Sequence, residues 1–183
     1  EDASKTPKTV QEFYFNPVRL LSLQSRLSAA YKGIMARILK NQCKDFISGR
    51  EMDFTVYKAE SIDIHHIFPE AYCEKMGIKR ERYNSIINKT PILPATNRSI
   101  GGNAPSEYLG AILKKVDGLT ENELQARVES HFINYAELKA DDFNGYFIDR
   151  AKSLLNLIEK AMNKPVTDRD AENTLDQFGA SLA

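Results

Sequence analysis

Apolar residues recur at steps of three and four between residues 20 and 38, directly after Asn16-Pro17, a favourable start for a helix. This spacing places them on one side of a helix. We therefore expect one long helix, or two helices joined near Gly33, with that side buried. The residues on the predicted buried side are Leu20, Leu23, Leu27, Tyr31, Ile34 and Ile38.

Three further helices are predicted in the second half of the chain. Pro105 suits the first position of one helix, and Thr120 suits the cap of a second, which should run to about Tyr135. A third, long amphipathic helix is expected to end before Pro165. Its inward side comprises Phe143, Phe147, Arg150, Leu154, Ile158 and Ala161.

Two short extended segments lie between these helical regions. Residues 61–67 predict a strand that the following proline ends, and residues 88–93 predict a second strand. Pro94 then begins a short helix, which Gly101-Gly102 stops. The pattern predicts a mainly α fold, in which helices surround one small β-hairpin and its helix at about residues 60–103. We refer to residues 60–103 as the hairpin segment.

The apolar periodicity bounds one domain, at residues 11–165. Residues 1–10 and 166–183 are polar and show no apolar face, so we expect a linker and a polar tail. A length of 183 residues, with 42% hydrophobic and 27% charged residues, is ordinary for one globular domain with a sizeable core.

The composition also bears on cellular location and on cysteine chemistry. No apolar run approaches the roughly 20 residues that span a bilayer, and no signal segment opens the chain. We therefore expect a cytoplasmic protein without a membrane partner. Cys43 and Cys73 form no Cys-x-x-Cys pair, so neither a disulfide framework nor a cysteine-rich zinc module is expected. Both are expected to be core or surface thiols.

Charge is distributed unevenly although the net charge is zero. Residues 75–98 contain six basic residues and one acidic residue, a net charge of +5. Residues 117–149 contain eight acids and two bases, a net charge of −6. A basic stretch on the hairpin segment, offset by acids elsewhere, fits a protein that presents one face to phosphates. The alternative is a solvated loop with an ordinary share of lysine and arginine.

The hairpin segment holds two of the three histidines of the chain. His65 and His66 are followed by Ile67-Phe68-Pro69, with Asn88 about twenty residues later and Asn97 nine residues after that. Adjacent histidines before Ile-x-Pro, a central Asn and a second Asn at this spacing resemble the HNH (ββα-metal) endonuclease finger.

A weaker similarity in pattern extends over residues 32–165 and resembles the C-terminal HNH domain of GmrSD-type modification-dependent restriction nucleases and related phage-defence proteins. The resemblance implies a metal-dependent DNA endonuclease of a restriction or phage-defence system, with DNA as its partner. It also implies an N-terminal nucleotide-binding or sensor domain outside this chain. A homodimer is one way to cut both strands. The alternative is a non-catalytic DNA-binding or interaction module that keeps the finger.

The resemblance assigns a role to each polar residue of the motif. His66 is the general base, for which an imidazole is suited by its reference pKa of roughly 6.5. His65 and Asn97 are the metal ligands, and Asp63 is a further ligand or a residue that orients His65. Asn88 is the middle Asn, whose side chain holds the loop backbone in place so that the general base keeps its orientation.

The expected cofactor is a divalent metal ion. An imidazole nitrogen and an amide oxygen leave several positions for water and phosphate, as an octahedral Mg²⁺ site requires. The imidazole also suits Mn²⁺, Co²⁺ or Ni²⁺.

The two adjacent histidines raise a geometric difficulty. Neighbours on a regular strand point to opposite faces, so His65 and His66 can serve one site only if the backbone leaves regular strand geometry. We expect that departure at the histidine pair, since Pro69 follows closely.

Several basic residues are candidates for phosphate contacts, which position a protein on DNA without reading its sequence. A structural zinc site that joins the histidines to Cys73 is the alternative for the motif. His131, in a helical stretch far along the chain, is expected to be a surface or packing residue. The candidate nucleic-acid contacts are Arg98, Lys89, Lys79, Arg80 and Arg82.

Overall fold

A computed structural model describes the protein at residues 12–53 and 63–183, with Asp63 described at its backbone only. The predicted linker at residues 1–10 and the first two residues of the predicted first strand lie outside this description. The mainly α fold class is confirmed. In chain order, the elements are α1 (Arg19–Ser22), α2 (Ala29–Lys40), β1 (Asp63–His66), α3 (Glu70–Lys75), α4 (Arg80–Tyr83), a 3₁₀ turn (Ile86–Asn88), β2 (Lys89–Ile92), α5 (Pro94–Ile100), α6 (Pro105–Lys115), α7 (Glu121–Glu129), α8 (Tyr135–Lys139), α9 (Phe143–Met162) and α10 (Glu172–Phe178).

The hairpin segment contains a two-stranded antiparallel sheet followed by a helix. β1 pairs with β2 so that Asp63 lies opposite Ile92 and His66 lies opposite Lys89. α5 follows β2 directly, and Pro94 occupies its first turn, where a missing N–H leaves no hydrogen bond unmade. The elements β1, β2 and α5 therefore give a β, β, α succession, with α3 and α4 inserted between the strands.

The hairpin segment is anchored in the core by Phe68. This fully buried ring lies 4.9 Å from the ring of Tyr146 and 5.2 Å from the ring of Phe143, both on α9. Ile67 is also buried. Ile67 and Phe68 are thus core residues, and they place the histidine pair directly beside the packed centre of the domain.

Three buried side chains from the helices hydrogen-bond to backbone carbonyls of the hairpin segment. The Tyr108 hydroxyl donates to the carbonyl of Ile67 at 3.1 Å. The Tyr146 hydroxyl donates to the carbonyl of Ile87 at 2.9 Å. The Arg150 guanidinium donates to the carbonyl of Lys89 at 3.0 Å. These contacts fix both strands of the hairpin to α6 and α9, where an unmade hydrogen bond would be costly because the groups are buried.

The predicted first helix differs from the observed one. A break at residues 23–28 separates α1 from α2, whereas Gly33, the expected joint, lies inside α2. The cause is local, because the Ser28 side chain accepts a hydrogen bond from the Tyr31 amide and caps α2. Leu27 consequently precedes the helix and is exposed. The helix predicted from Glu121 to about Tyr135 is shorter than expected, because α7 ends at Glu129 and α8 begins only at Tyr135.

The C-terminal residues 166–183, expected to be a polar tail, are folded against the domain instead. Val166, Phe178 and Leu182 are buried, and the Phe178 ring lies 6.0 Å from that of Phe147. The segment holds few large apolar residues, and one of them, Leu175, is exposed. Its polar composition therefore hides the three residues that pack into the core.

The two cysteines are core thiols. Cys43 and Cys73 are free and buried, and burial raises the pKa of each thiol to about 12. Such a pKa keeps both thiols protonated at physiological pH. None of the helices in the described part of the chain has the length and apolar character needed to cross a bilayer.

His131 is a fully buried packing residue. Its Nε2 donates to the carbonyl of Lys44 at 2.9 Å, and its Nδ1 accepts from the Thr90 hydroxyl at 2.7 Å. The contact connects α7 and the following turn to β2. Burial lowers the pKa of His131 to about 4, so the imidazole is neutral at physiological pH.

This buried histidine should make stability depend on pH. The unfolded chain takes up a proton at a pKa of about 6.5, whereas the folded chain resists it down to about 4. Stability should therefore fall as the pH falls through this window, by roughly 3 kcal/mol at 1.36 kcal/mol per unit. We expect His131→Gln, which cannot titrate, to lack this part of the pH dependence in urea unfolding. Equal losses in both proteins would contradict the assignment.

Candidate active site

Strand β1 carries both histidines of the motif. The expected departure from strand geometry does not occur between them, because β1 continues through His66 and the backbone bends at Ile67 and Phe68. The ladder explains this: the Ile67 amide still donates to the Asn88 carbonyl at 2.9 Å. In the strand pairing, His65 lies across from Thr90, and His66 lies across from Lys89. The side chains of His65 and His66 therefore point to opposite faces of the hairpin.

The side chain of Asn88 ties the two sides of the hairpin segment together. Its amide oxygen accepts from the Phe68 amide, and its amide nitrogen donates to the carbonyls of Phe68 and Tyr83, all at 2.9 Å. Asn88 is fully buried, so these hydrogen bonds are shielded from water. The three contacts fix the chain two residues after His66 and the end of α4 relative to each other.

His66 is half-buried beside the end of α4. Its Nε2 lies 3.2 Å from the amide oxygen of Asn84. The ring of Tyr83 meets it edge-on at 6.2 Å between centroids. Burial lowers the pKa of His66 below its ordinary value, and the Lys89 ammonium lowers it further. The Asn84 contact and Glu70 act in the opposite direction.

Helix α5 carries Asn97, and its first turn is held by Asp45. The fully buried Asp45 carboxylate accepts from the Leu93 amide at 3.1 Å and from the Thr96 hydroxyl at 2.8 Å. Asn97, the next residue, is half-buried. Within the described part of the chain its side chain makes no hydrogen bond, so its amide oxygen is available to a ligand.

The motif supplies a sparse set of metal ligands. No three His, Cys, Asp or Glu side chains come together as ligands within residues 12–53 and 64–183. The candidate pair is the His65 imidazole and the Asn97 amide oxygen. β1 begins at Asp63, whose side chain lies outside the description. An imidazole and an uncommitted amide fit a cation that keeps water and phosphate in its shell.

The five basic candidates fall into two groups. Lys79, Arg80 and Arg98 are exposed and suited to contact phosphates. Lys89 is only 7% exposed, and its ammonium donates to the carbonyl of Gln24 at 2.7 Å. Lys89 is therefore unsuited to the expected phosphate contact, because its side chain points from β2 into the interior.

Arg82 also differs from expectation. Its guanidinium lies over the Phe147 ring, 4.6 Å from the centroid, and donates to the Asn144 side chain at 3.1 Å. Burial lowers the pKa of Arg82. The residue packs α4 against α9, and the cation–π contact holds it there instead of leaving it free for DNA.

Sequence reasoning missed four residues at or near the candidate base, His66. Asn84 contacts His66 across eighteen positions of sequence. The Tyr83 hydroxyl lies 3.2 Å from both the Glu70 and the Glu74 carboxylates, beside the same imidazole. These contacts arise from the return of the chain through α4, for which the sequence holds no local signal.

Comparisons with known proteins give a relative whose name states no activity. The chain is 35% identical over 144 residues to the uncharacterized protein MJ0686 of Methanocaldococcus jannaschii. The match covers 73% of this chain and 24% of that protein, so the chain spans about a quarter of the length of the curated relative that it matches. No family model matches the chain, and no solved structure matches it significantly.

The Asn88 hydrogen bonds generate a structural prediction. Asn88→Ala removes three buried hydrogen bonds and leaves the Phe68 and Tyr83 backbone groups unsatisfied, so we expect a loss of about 3 kcal/mol in urea unfolding. Amide exchange at Phe68 should become faster in the variant. Asn173→Ala, on the exposed side of α10, serves as control and should change stability by about 0.5 kcal/mol at most. Unchanged exchange at Phe68 would show that Asn88 is not the restraint.

Proposed function

We propose that this chain is a metal-dependent DNA endonuclease domain of a restriction or phage-defence system. The observation that carries the proposal is the setting of His66. This half-buried imidazole, with one ring nitrogen on Asn84, lies at the end of a hairpin that Asn88 fixes, in the sequence motif of HNH nucleases. The β, β, α order of β1, β2 and α5 agrees with that motif.

His66 acts as the general base in the proposed reaction. Its free ring nitrogen accepts a proton from water, and the water oxygen attacks the phosphorus while the bond to the 3′ oxygen breaks. The lowered pKa keeps the imidazole neutral near pH 7, which a base requires. One ring nitrogen is occupied by Asn84, so the other is the one that meets water.

In this proposal His65 and Asn97 hold the metal ion, with Asp63 as a further ligand. Because β1 places His65 and His66 on opposite faces, the end of the strand must leave its regular geometry when the ion and DNA bind, so that both histidines serve one site. The expected ion is Mg²⁺, with Mn²⁺, Co²⁺ or Ni²⁺ as alternatives. When bound, a divalent cation supplies positive charge for the phosphoryl oxygens and the departing 3′ oxygen. Asp45 supports the Asn97 position by fixing the first turn of α5.

The exposed bases Lys79, Arg80 and Arg98 bind the DNA backbone. Specificity for sequence or modification belongs to other domains, and the much greater length of the M. jannaschii relative supports a multidomain setting. A homodimer would let two sites cut both strands.

The decisive experiment is cleavage of supercoiled plasmid with Mg²⁺ or Mn²⁺ and with an EDTA control. We expect nicking by the wild type, none with EDTA, and a loss of at least about 100-fold in His66→Ala, because proton transfer is removed. Circular dichroism and DNA affinity should be nearly unchanged in this variant. Nicking by His66→Ala at the wild-type rate would refute the assignment of His66 as the general base.

Calorimetry with Mn²⁺ separates the ligand roles from the base role. His65→Ala and Asn97→Ala should weaken Mn²⁺ binding, whereas His66→Ala should not. Unchanged Mn²⁺ affinity in both ligand variants would refute the metal site. A wild type that binds DNA but never cleaves it would favour the alternative, a non-catalytic DNA-binding module.

The exposed bases give a prediction about salt. Replacing Lys79, Arg80 and Arg98 by Gln should weaken binding to all DNA sequences alike, because phosphate contacts carry no sequence information. The slope of log affinity against log salt should flatten by about 0.9 for each phosphate that the variant no longer neutralises. Both quantities can be measured by fluorescence anisotropy.

A matched control removes the same charge elsewhere. Lys40, Lys114 and Lys115 are exposed on α2 and α6, outside the basic stretch. Their replacement by Gln should alter the salt slope much less. Equal slopes in both triple variants would show that the basic stretch is only a solvated surface.

A further inference from the structure

We infer that Asn84 is a positioning residue, which holds His66 in the tautomer protonated at Nε2 and so leaves Nδ1 as the proton acceptor. The inference rests on the proposed function of His66. Asn84 carries no part of the sequence motif, and it acts on the reaction only through the imidazole.

The geometry of the contact determines the tautomer. The Asn84 amide oxygen lies 3.2 Å from Nε2 of His66, and an amide oxygen can only accept a hydrogen bond. The Nε2 atom must therefore carry the proton in this contact. A neutral imidazole has one proton on its two nitrogens, so Nδ1 keeps its lone pair.

The position of Asn84 is itself fixed by the backbone. Asn84 ends α4, and its amide donates to the carbonyl of Arg80 at 2.9 Å. The carbonyl of the preceding Tyr83 is held by Asn88, which also holds both backbone groups of Phe68. The buried Asn88 side chain thus fixes the strand of His66, the hydrogen-bond donor, relative to the turn of Asn84, the acceptor.

Edge-on packing restricts the imidazole further. The Tyr83 ring meets His66 at an interplanar angle of 72°. Tyr83 is itself buried and anchored through its hydroxyl to Glu70 and Glu74. Rotation of the imidazole that would exchange its two nitrogens must displace this ring or break the Asn84 contact. The base is therefore preorganised before any substrate arrives.

Nuclear magnetic resonance of the metal-free, ¹⁵N-histidine-labelled protein at about pH 8, where the imidazoles are neutral, tests the tautomer. We expect His66 to carry its proton on Nε2, with slow exchange of that proton with water. Asn84→Leu, which keeps the size but not the acceptor, should accelerate this exchange at least about tenfold. Asn84→Asp keeps an acceptor oxygen and should preserve the Nε2–H form.

His131 provides an internal reference in the same spectra. Its Nε2 donates to the Lys44 carbonyl, so its tautomer should be the same in every variant, and a change there would reveal general unfolding. Asn156→Leu, at an exposed amide on α9 away from α4, should change neither histidine. An Nδ1–H form of His66 in the wild type, or equal exchange in wild type and Asn84→Leu, overturns the inference.

Kinetics separate a failure of this inference from a failure of the proposed function. We expect Asn84→Leu to lower kcat for plasmid nicking about 10- to 100-fold with little change in KM. It should cause no further loss in the His66→Ala background, since Asn84 acts through His66. Wild-type nicking that needs His66 but not Asn84 overturns the inference alone. A wild type without His66-dependent nicking overturns the proposed function, and the catalytic role of Asn84 with it.

Discussion

The structure depends on hydrogen bonds from buried helix side chains to backbone carbonyls of the hairpin segment. A two-stranded hairpin is marginally stable by itself, and its outer carbonyls have no strand to pair with. Here Tyr108, Tyr146 and Arg150 supply the missing donors. Burial lowers the pKa of Arg150 and so disfavours its charge. The hydrogen bond to the hairpin offsets part of that cost, since hydrogen bonds to a charged group are stronger than neutral ones.

Two further polar residues extend this support to the candidate site. Asn88 joins the strand of His66 to the turn of Asn84, and Asp45 joins an early turn of the chain to α5. Each makes several hydrogen bonds while fully buried, so each allows one arrangement of its neighbours. The metal-ligand candidate on α5 and the candidate base on β1 thereby occupy fixed places.

The sequence predicted the elements better than their environments. Apolar periodicity indicated the mainly α class, and turn residues indicated both strands and α5. Charge pattern could not distinguish an exposed base from a packed one: Lys89 and Arg82 belong to the basic stretch, yet one faces the interior and the other lies on Phe147. The hydrogen-bond partner of His66 could not be predicted from the sequence either, because Asn84 comes close to His66 only after the chain returns through α4. Tertiary contacts of this kind leave no periodic trace in sequence.

The carbonyl hydrogen bonds have a consequence for how this domain can be moved between proteins. A hairpin whose backbone is completed by side chains from α6 and α9 is not an independent module. Its hydrogen-bond donors lie up to about sixty residues away, at Tyr146 and Arg150. If the hairpin segment alone were grafted onto another scaffold, the backbone carbonyls of Ile67, Ile87 and Lys89 would lose their hydrogen-bond donors. The transferable unit, in gene fusion as in protein engineering, is therefore the helical domain as a whole.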